Sequence, residues 1–228
     1  MSRIQLALRI LAGFPKSLYL NIKVLPLKTA IHMPIYVSCH TKIGKIHRNS
    51  IRIETKHIHF AMISFGVFER SEGLLYLNKN YLSIGNRARL ICRGDLAMSK
   101  GGCMKLSGDA VMDCGHRVTF NANSKVLCAH SVVIGDNVRF GWDTTLKDSD
   151  GHAICDESGK VINSDRPVTV GNNVWVGAEA ALLKGAGVPS DSVVGFRALV
   201  TKRFEQSNVI IAGAPAKIVK ENVKWLSD

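Results

Sequence analysis

The segment Asp148-Ser-Asp150-Gly-His152 contains the residues of this chain best suited to proton transfer. A neutral imidazole can accept a proton near pH 7, and a neighbouring carboxylate can orient its ring. His152 is the only histidine in residues 147–167, and either Asp148 or Asp150 could supply the carboxylate. Taken alone, such a segment indicates an exposed loop with a solvated histidine. Its chemistry therefore depends on the scaffold that carries it.

The six cysteines predict neither a metal site nor a disulfide framework. They occupy positions 39, 92, 103, 114, 128 and 155, with no CxxC pair and no zinc-ligand spacing. Because no secretion signal is evident, we expect reduced thiols in a cytoplasmic protein. Cys155 follows His152 by three residues, which leaves a catalytic thiol activated by that imidazole as a minor alternative.

A six-residue repeat within residues 168–201 predicts the scaffold. The first position of each block is aliphatic: Val170, Val176, Leu182, Val188, Val194 and Val200. The fifth position is small or β-branched: Val174, Ala180, Ala186, Ser192 and Ala198. Neither a two-residue nor a 3.6-residue period gives this pattern, whereas a triangular coil with three six-residue sides does. The sequence therefore predicts a solenoid with an aliphatic core.

The same register extends upstream through Ile134, Phe140 and Leu146, and four further hexads separate Leu146 from Val170. Residues 147–167 do not follow the pattern, so we expect a loop that leaves one corner. Before residue 128 two registers remain open. The inward positions are either Cys128, Ala122 and Ala110, or Val118, Met112 and Leu106 in a shifted frame.

Three segments follow from this pattern: a helical or irregular cap at 1–49, the solenoid at 50–204, and a C-terminal cap at 205–228. Hydrophobic residues make up 46% of the chain and aromatic residues only 7%, as a core of stacked aliphatic side chains requires. A solenoid has two open ends that must be covered. We expect helical caps at both.

The N-terminal segment has apolar residues at helical spacing: Ile4, Ala7, Leu8, Leu11 and Phe14. A helix packed on the end of the coil is the preferred interpretation. The alternative is a basic amphipathic anchor on an anionic membrane surface. Its basic residues would be Arg3, Arg9, Lys16, Lys23 and Lys28. No stretch reaches the roughly 20 apolar residues of a membrane span.

The formal net charge is +12, from 30 Lys and Arg against 18 Asp and Glu. Such a balance favours anionic partners in general. No nucleic-acid-binding motif is present and the basic residues are scattered, so we do not expect a nucleic-acid partner. The positive electrostatic field would attract a phosphorylated cofactor, an acidic polysaccharide or an anionic lipid surface equally.

The repeat also carries a specific resemblance. The blocks VGNNVWVG, LLKGAGV, SVVGFRALVTK and the ending IIAGAPAKIVKENVKW resemble the hexapeptide-repeat acyltransferases over residues ~80 to 225. They are most similar to the sugar and capsular polysaccharide O-acetyltransferases. The resemblance implies an all-β fold, the left-handed parallel β-helix, and a homotrimer with active sites at subunit interfaces. It also implies acetyl-CoA as co-substrate, a saccharide acceptor and no metal.

In such enzymes a histidine on a loop before the VWIG-like block removes the acceptor proton, which assigns His152 as general base. Trp175 of VWVG matches the tryptophan beside the active site, where it would contact donor or acceptor. Asp148 and Asp150 accompany it as candidate substrate-binding and ring-orienting residues. Trp142, in a less diagnostic coil, is more typical of packing.

The resemblance places the pantetheine arm of CoA along backbone amides at Ala178 and Phe196. Phe196 departs from the Ala or Gly found in the family, and would narrow the channel or move the contact. Thr201-Lys202 matches a Thr-Lys contact, and Lys217 matches a basic residue that pairs with CoA phosphate. The ending also has Ala214 where the family has Asn.

The sequence thus predicts a cytoplasmic, acetyl-CoA-dependent O-acetyltransferase, acting on a surface-polysaccharide precursor of the capsule or lipopolysaccharide, with peripheral membrane contact left open. A non-catalytic solenoid scaffold is the alternative, kept because of Phe196. An acyl-carrier-protein-dependent acyltransferase of lipid A synthesis is disfavoured by the short ending. A γ-class carbonic anhydrase is disfavoured because no two histidines are five residues apart.

Overall fold

The computed structural model describes residues 3–67 and 79–226, with side chains from residue 10 onward. The side chains of Arg3, Ile4, Ala7, Leu8 and Arg9 therefore lie outside the described part, as do Ser227 and Asp228 of the predicted C-terminal cap. Two helices open the chain, α1 at Arg3–Val24 and α2 at Leu27–Ala30.

Twenty-two strands follow in the described residues. They are β1 Ile35–Val37, β2 Lys42–Ile43, β3 Ile51–Ile53, β4 Ile63–Phe65, β5 Tyr81–Ile84, β6 Arg89–Cys92, β7 Leu96–Met98, β8 Cys103–Leu106, β9 Val111–Cys114, β10 Val118–Phe120, β11 Lys125–Cys128, β12 Ser131–Ile134, β13 Val138–Phe140, β14 Thr145–Lys147, β15 Val168–Val170, β16 Val174–Val176, β17 Ala181–Leu183, β18 Gly187–Val188, β19 Val193–Val194, β20 Leu199–Val200, β21 Ile210–Gly213 and β22 Ala216–Lys220.

Every third strand along the chain belongs to the same sheet, so the chain winds as a three-sided parallel β-helix. Face 1 has the order β1-β4-β7-β10-β13-β16-β19-β21-β22, face 2 has β2-β5-β8-β11-β14-β17-β20, and face 3 has β3-β6-β9-β12-β15-β18. All pairings of these strands are parallel except β21 with β22. We call the turns between successive faces corner 1–2, corner 2–3 and corner 3–1.

The hexads of residues 168–201 form the C-terminal coils, as predicted. Val176 pairs with Val194 and Leu182 with Val200, so that three hexads complete one coil. Their inward side chains are buried, together with the small residues Ala180, Ala186 and Ala198.

The two upstream registers were both partly right, because each strand there places two side chains inward. Met112 and Cys114 of β9 are both buried, as are Cys128, Ala122, Ala110, Val118 and Leu106. The upstream coils are also longer than three hexads, since Val132 pairs with Met112 and Val126 with Met104. In such coils the inward positions do not recur at strict intervals of six residues.

The β-helix begins earlier than the predicted residue 50, because β1 and β2 already pair with β4 and β5. Helix α1 covers this end with polar contacts to the edge strand. Asn21 bonds both the N–H and the C=O of Ile35, and the Ser17 hydroxyl accepts from the N–H of Val37. These side chains satisfy backbone groups that a further strand would otherwise pair.

The C-terminal cap is a strand rather than the predicted helix. β21 continues face 1 by pairing with β19, and β22 then folds back antiparallel on β21. Its first residue, Ala216, is buried, whereas Lys217, Val219 and Lys220 are exposed. This alternation suits a half-covered edge strand and has no helical period.

Candidate active site at two corners of the solenoid

Corner 1–2 is built from repeated turns of the form Gly-x-y, in which y has a positive φ. The turns Gly141-Trp142-Asp143, Gly177-Ala178-Glu179 and Gly195-Phe196-Arg197 lie in successive coils, with φ of 55° to 57° at the third residue. Glycine is required at the first position because the next coil stacks closely on it. A Cβ at Gly177 would lie 2.8 Å from the carbonyl oxygen of Val194.

The amides of this corner differ from those of corner 3–1, which has the same turn. At corner 3–1 the middle amide is capped by the coil above: His116 N–H donates to Asp136, Asp136 N–H to Asn172, and Asn172 N–H to Ser190. At corner 1–2 the middle amides of Trp142, Ala178 and Phe196 donate to no other described residue. Unpaired amides at adjacent coils, about 4.8 Å apart, are donors available to a ligand.

Aromatic side chains border this amide column. The Trp142 and Phe196 rings meet edge to face, with centroids 6.0 Å apart, across the coil that carries Ala178. Trp175 projects from face 1 and is 45% exposed. Trp142, Trp175, Ala178 and Trp225 line a groove of about 400 Å³. Thus Trp175 and Ala178 border one groove with Trp142 and Trp225, and Phe196 adjoins them through its contact with Trp142.

Lys217 extends the same corner toward the C-terminal end. It lies on β22 opposite Ala212, and the Ala212 side chain stacks on the Gly195 turn. An exposed ammonium therefore stands beyond the Ala178 and Phe196 amides along the solenoid axis. Arg139 adds a further cation, with its guanidinium 5.8 Å from the centre of the Trp225 ring.

The loop that carries His152 leaves the solenoid at corner 2–3, between β14 and β15. Asp148, its first residue, is fully buried. Its carboxylate accepts from the N–H groups of Ala129, His130 and Ser131 at 2.7–2.8 Å. The proposed orientation of the His152 ring by Asp148 is therefore wrong, because this carboxylate caps the corner of the preceding coil.

Asp150 is also occupied by other partners. It accepts hydrogen bonds from the Lys184 ammonium and from the Asn163 side-chain amide. These two donors, Lys184 foremost, hold the pKa of the Asp150 carboxyl below its ordinary value. Asp150 therefore stays ionised and links the loop to β17, which Lys184 follows.

Asn163 was missed by sequence reasoning. Its side-chain NH₂ group donates to the Asp150 carboxylate and to the main-chain carbonyl of His152. Its side-chain oxygen accepts from the N–H of Ile154. Lys184 in turn donates to the main-chain carbonyl of Asn163. These bonds fix the backbone on both sides of His152. Because Asn163 lies in an irregular segment, no periodic pattern in the sequence predicts this hydrogen-bonding role.

The His152 side chain is exposed and its imidazole makes no hydrogen bond or ion pair with any described residue. Cys155 is exposed nearby, and no bond joins its thiol to His152 within the described part of the chain. Thr201 and Lys202 follow β20 and so lie at corner 2–3 with this loop. They are separated from Ala178 and Phe196, with which the sequence grouped them.

Three of the remaining thiols, those of Cys92, Cys114 and Cys128, are buried and therefore poor nucleophiles. Burial raises the pKa of Cys92 and Cys114, and burial together with the Asp148 carboxylate raises that of Cys128. In the described residues no group of three or more His, Cys, Asp or Glu side chains converges as a metal site would require. None of the described helices is long and apolar enough to cross a bilayer.

Comparison with known proteins identifies O-acetyltransferases of similar sequence. The chain is 30% identical over 164 residues to a polysialic acid O-acetyltransferase of Neisseria meningitidis, covering 65% of this chain and 76% of that protein. It is 34% identical over 110 residues to the galactoside O-acetyltransferase of Escherichia coli K12, covering 47% of this chain and 52% of that enzyme. No protein-family model matches the sequence.

The crystal structure of the polySia-specific acetyltransferase NeuO superposes with a TM-score of 0.56 at 25% identity, covering 84% of this chain and 75% of that one. The chain belongs to the hexapeptide-repeat acyltransferase family, and its fold is the predicted left-handed parallel β-helix. It spans about half the length of the galactoside enzyme and of a polysialic acid O-acetyltransferase of Escherichia coli O1:K1.

Proposed function

We propose that this protein transfers an acetyl group from acetyl-CoA to a hydroxyl of a saccharide, with His152 as general base. The observation that carries the proposal is the column of unpaired amides at corner 1–2. The carbonyl groups of an extended pantetheine arm match amides repeated from coil to coil, and Lys217 lies where the arm would continue to a phosphate. Trp175 and the groove beside it would border the acetyl end.

The base and the donor site lie at different corners of one chain. Lys184, which anchors the His152 loop, comes six positions after Ala178 in the chain. Six residues of extended chain span about 20 Å. General base catalysis needs contact within about 3 Å. We infer that corner 1–2 of one copy faces corner 2–3 of another, as in a cyclic trimer. Thr201 and Lys202 would then approach the same cofactor from the copy that supplies His152.

The chemical step follows from this arrangement. His152 takes the proton of the acceptor hydroxyl while the hydroxyl oxygen attacks the thioester carbonyl carbon. The new C–O bond forms, the C–S bond breaks, and the imidazolium returns the proton to the departing sulfur. The Trp175 indole N–H would donate to the oxygen that develops negative charge. No covalent enzyme intermediate is required.

The acceptor class is inferred from the relatives and from charge. Relatives named as polysialic acid O-acetyltransferases modify an anionic saccharide polymer, and NeuO is described as polySia-specific. Arg139 lines the groove of this chain together with Trp175 and Trp225. An aromatic and cationic surface of this kind suits a saccharide that carries carboxylate or phosphate groups, as a surface-polysaccharide precursor does.

Titration calorimetry with acetyl-CoA tests the donor site, followed by release of free CoA with neutral and anionic oligosaccharides. We expect about one saturable site per chain. Ala178→Pro deletes one amide at a turn position that proline tolerates, and should weaken binding about threefold to tenfold. Ala178→Ser, which keeps the amide, is the control. Absence of binding at millimolar acetyl-CoA would instead support the non-catalytic scaffold.

A further inference from the structure

The outer face of the N-terminal cap exposes a set of large apolar side chains. Helix α1 buries Ser17, Leu20, Asn21 and Val24 against the first coil. On its other side Leu11, Phe14, Leu18 and Ile22 recur at intervals of three and four residues, with exposures of 68, 47, 38 and 56%. Tyr19 of α1, Leu27 of α2 and Ile31 after it are 57 to 71% exposed. This set is the cap face.

The cap face lies in the most basic part of the chain. Residues 1–53 contain nine Lys and Arg residues and no Asp or Glu, whereas the whole chain has 30 and 18. Three quarters of the net charge of +12 therefore belongs to this segment. Lys23 and Lys28 are exposed beside the apolar side chains, and Lys23 contacts the Tyr19 ring. Lys16 does not contribute, because its ammonium binds the carbonyls of Cys39 and Thr41.

We propose that the cap face docks on an anionic lipid surface, with its apolar residues among the upper acyl chains and Lys23 and Lys28 at the lipid phosphates. Comparison of three possible occupants favours lipid. A second copy would bring two strongly basic, acid-free segments together, which charge repulsion opposes. A soluble polyanion would leave the apolar residues without a partner. An anionic bilayer satisfies both the apolar stripe and the charge.

This docking is independent of the acetyl-transfer proposal, because the cap lies at the N-terminal end of the β-helix and the corner 1–2 amides lie in its later coils. The helix would lie along the interface rather than across it, since no described helix is long and apolar enough to span.

Co-sedimentation of the full chain with vesicles tests the proposal. We expect binding to phosphatidylcholine vesicles containing about 30% phosphatidylglycerol, and weak binding to pure phosphatidylcholine. Leu18→Asp/Ile22→Asp should lower the anionic-vesicle binding at least tenfold. Val219→Asp is the matched control, because Val219 is an exposed aliphatic residue (62%) that lies at the opposite end of the solenoid.

Binding that is unaffected by the double substitution, or no binding to anionic vesicles, would overturn the proposal. So would a change of the double variant to a smaller assembly in light scattering, which would make the cap face a contact between copies. Equal loss of binding to soluble dextran sulfate would show that the face binds polyanions instead. Each variant is checked for acetyl-CoA binding, so that a folding defect is distinguished from lost docking.

Discussion

His152→Ala is expected to lower kcat for acetyl transfer by about 10² to 10⁴-fold, because the acceptor hydroxyl loses its general base. The Kd for acetyl-CoA should change little, since the donor amides lie at another corner. Turnover by release of free CoA and calorimetric titration of acetyl-CoA measure the two effects separately. Added imidazole should restore part of the lost turnover.

His130→Ala is the matched control. His130 is also an exposed histidine at corner 2–3, one coil below the loop. Its substitution by alanine keeps the backbone N–H that donates a hydrogen bond to the Asp148 carboxylate. It should retain wild-type turnover. Near-normal kcat in His152→Ala with an identified acceptor would exclude His152 as the base.

Asp148→Ala is expected to lower the free energy of unfolding by about 3 kcal/mol or more. The substitution removes a fully buried carboxylate and leaves the three amides of residues 129–131 without an acceptor. Urea unfolding at fixed protein concentration measures this change. Because Asp148 begins the loop, turnover should fall as well.

Asp165→Ala provides the comparison for that variant, because Asp165 is exposed in the same loop and should change stability by less than about 0.5 kcal/mol. Equal stability of the two variants would show that Asp148 does not anchor the corner. If Asp148→Ala retained stability but lost turnover, this carboxylate would instead act on the His152 ring.

The fold was predictable because the inward positions are chemically simple. Val170, Val176 and Leu182 recur once per hexad, and their burial is enough to specify a coil. The upstream coils were harder to align because they are longer than three hexads, so that a frame derived from the C-terminal coils slips. The C-terminal strand β22 was also missed, because an edge strand that folds back has too few buried positions to show a period.

The candidate site was only partly predictable. Sequence placed Ala178 and Phe196 on one amide column, but it could not separate them from Thr201 and Lys202, because that division depends on which corner each turn occupies. The residue types at the middle of each turn do distinguish the corners. Corner 3–1 turns carry Asp136, Asn172 and Ser190 at the middle position, which cap amides, whereas corner 1–2 turns carry Trp142, Ala178 and Phe196, which cannot.

The anchoring role of Asp148 illustrates what neighbouring residues in a sequence cannot show. A carboxylate four residues from a histidine suggests a ring-orienting partner, yet its bonds are to residues 17 to 19 positions earlier. Stacking of coils brings them together. The same stacking brings Lys184, which follows β17 in the next coil, against Asp150 and Asn163 of the His152 loop.

Coexpression of two inactive variants tests most directly whether a base and a donor site from different copies form the active site. His152→Ala lacks the base, and Ala178→Trp fills the donor corner. In randomly mixed trimers about one interface in four pairs an intact His152 with an intact Ala178 from its neighbour. We predict recovery of about a quarter of wild-type turnover, with neither variant active alone. Absence of any recovery in mixed assemblies would contradict the shared site.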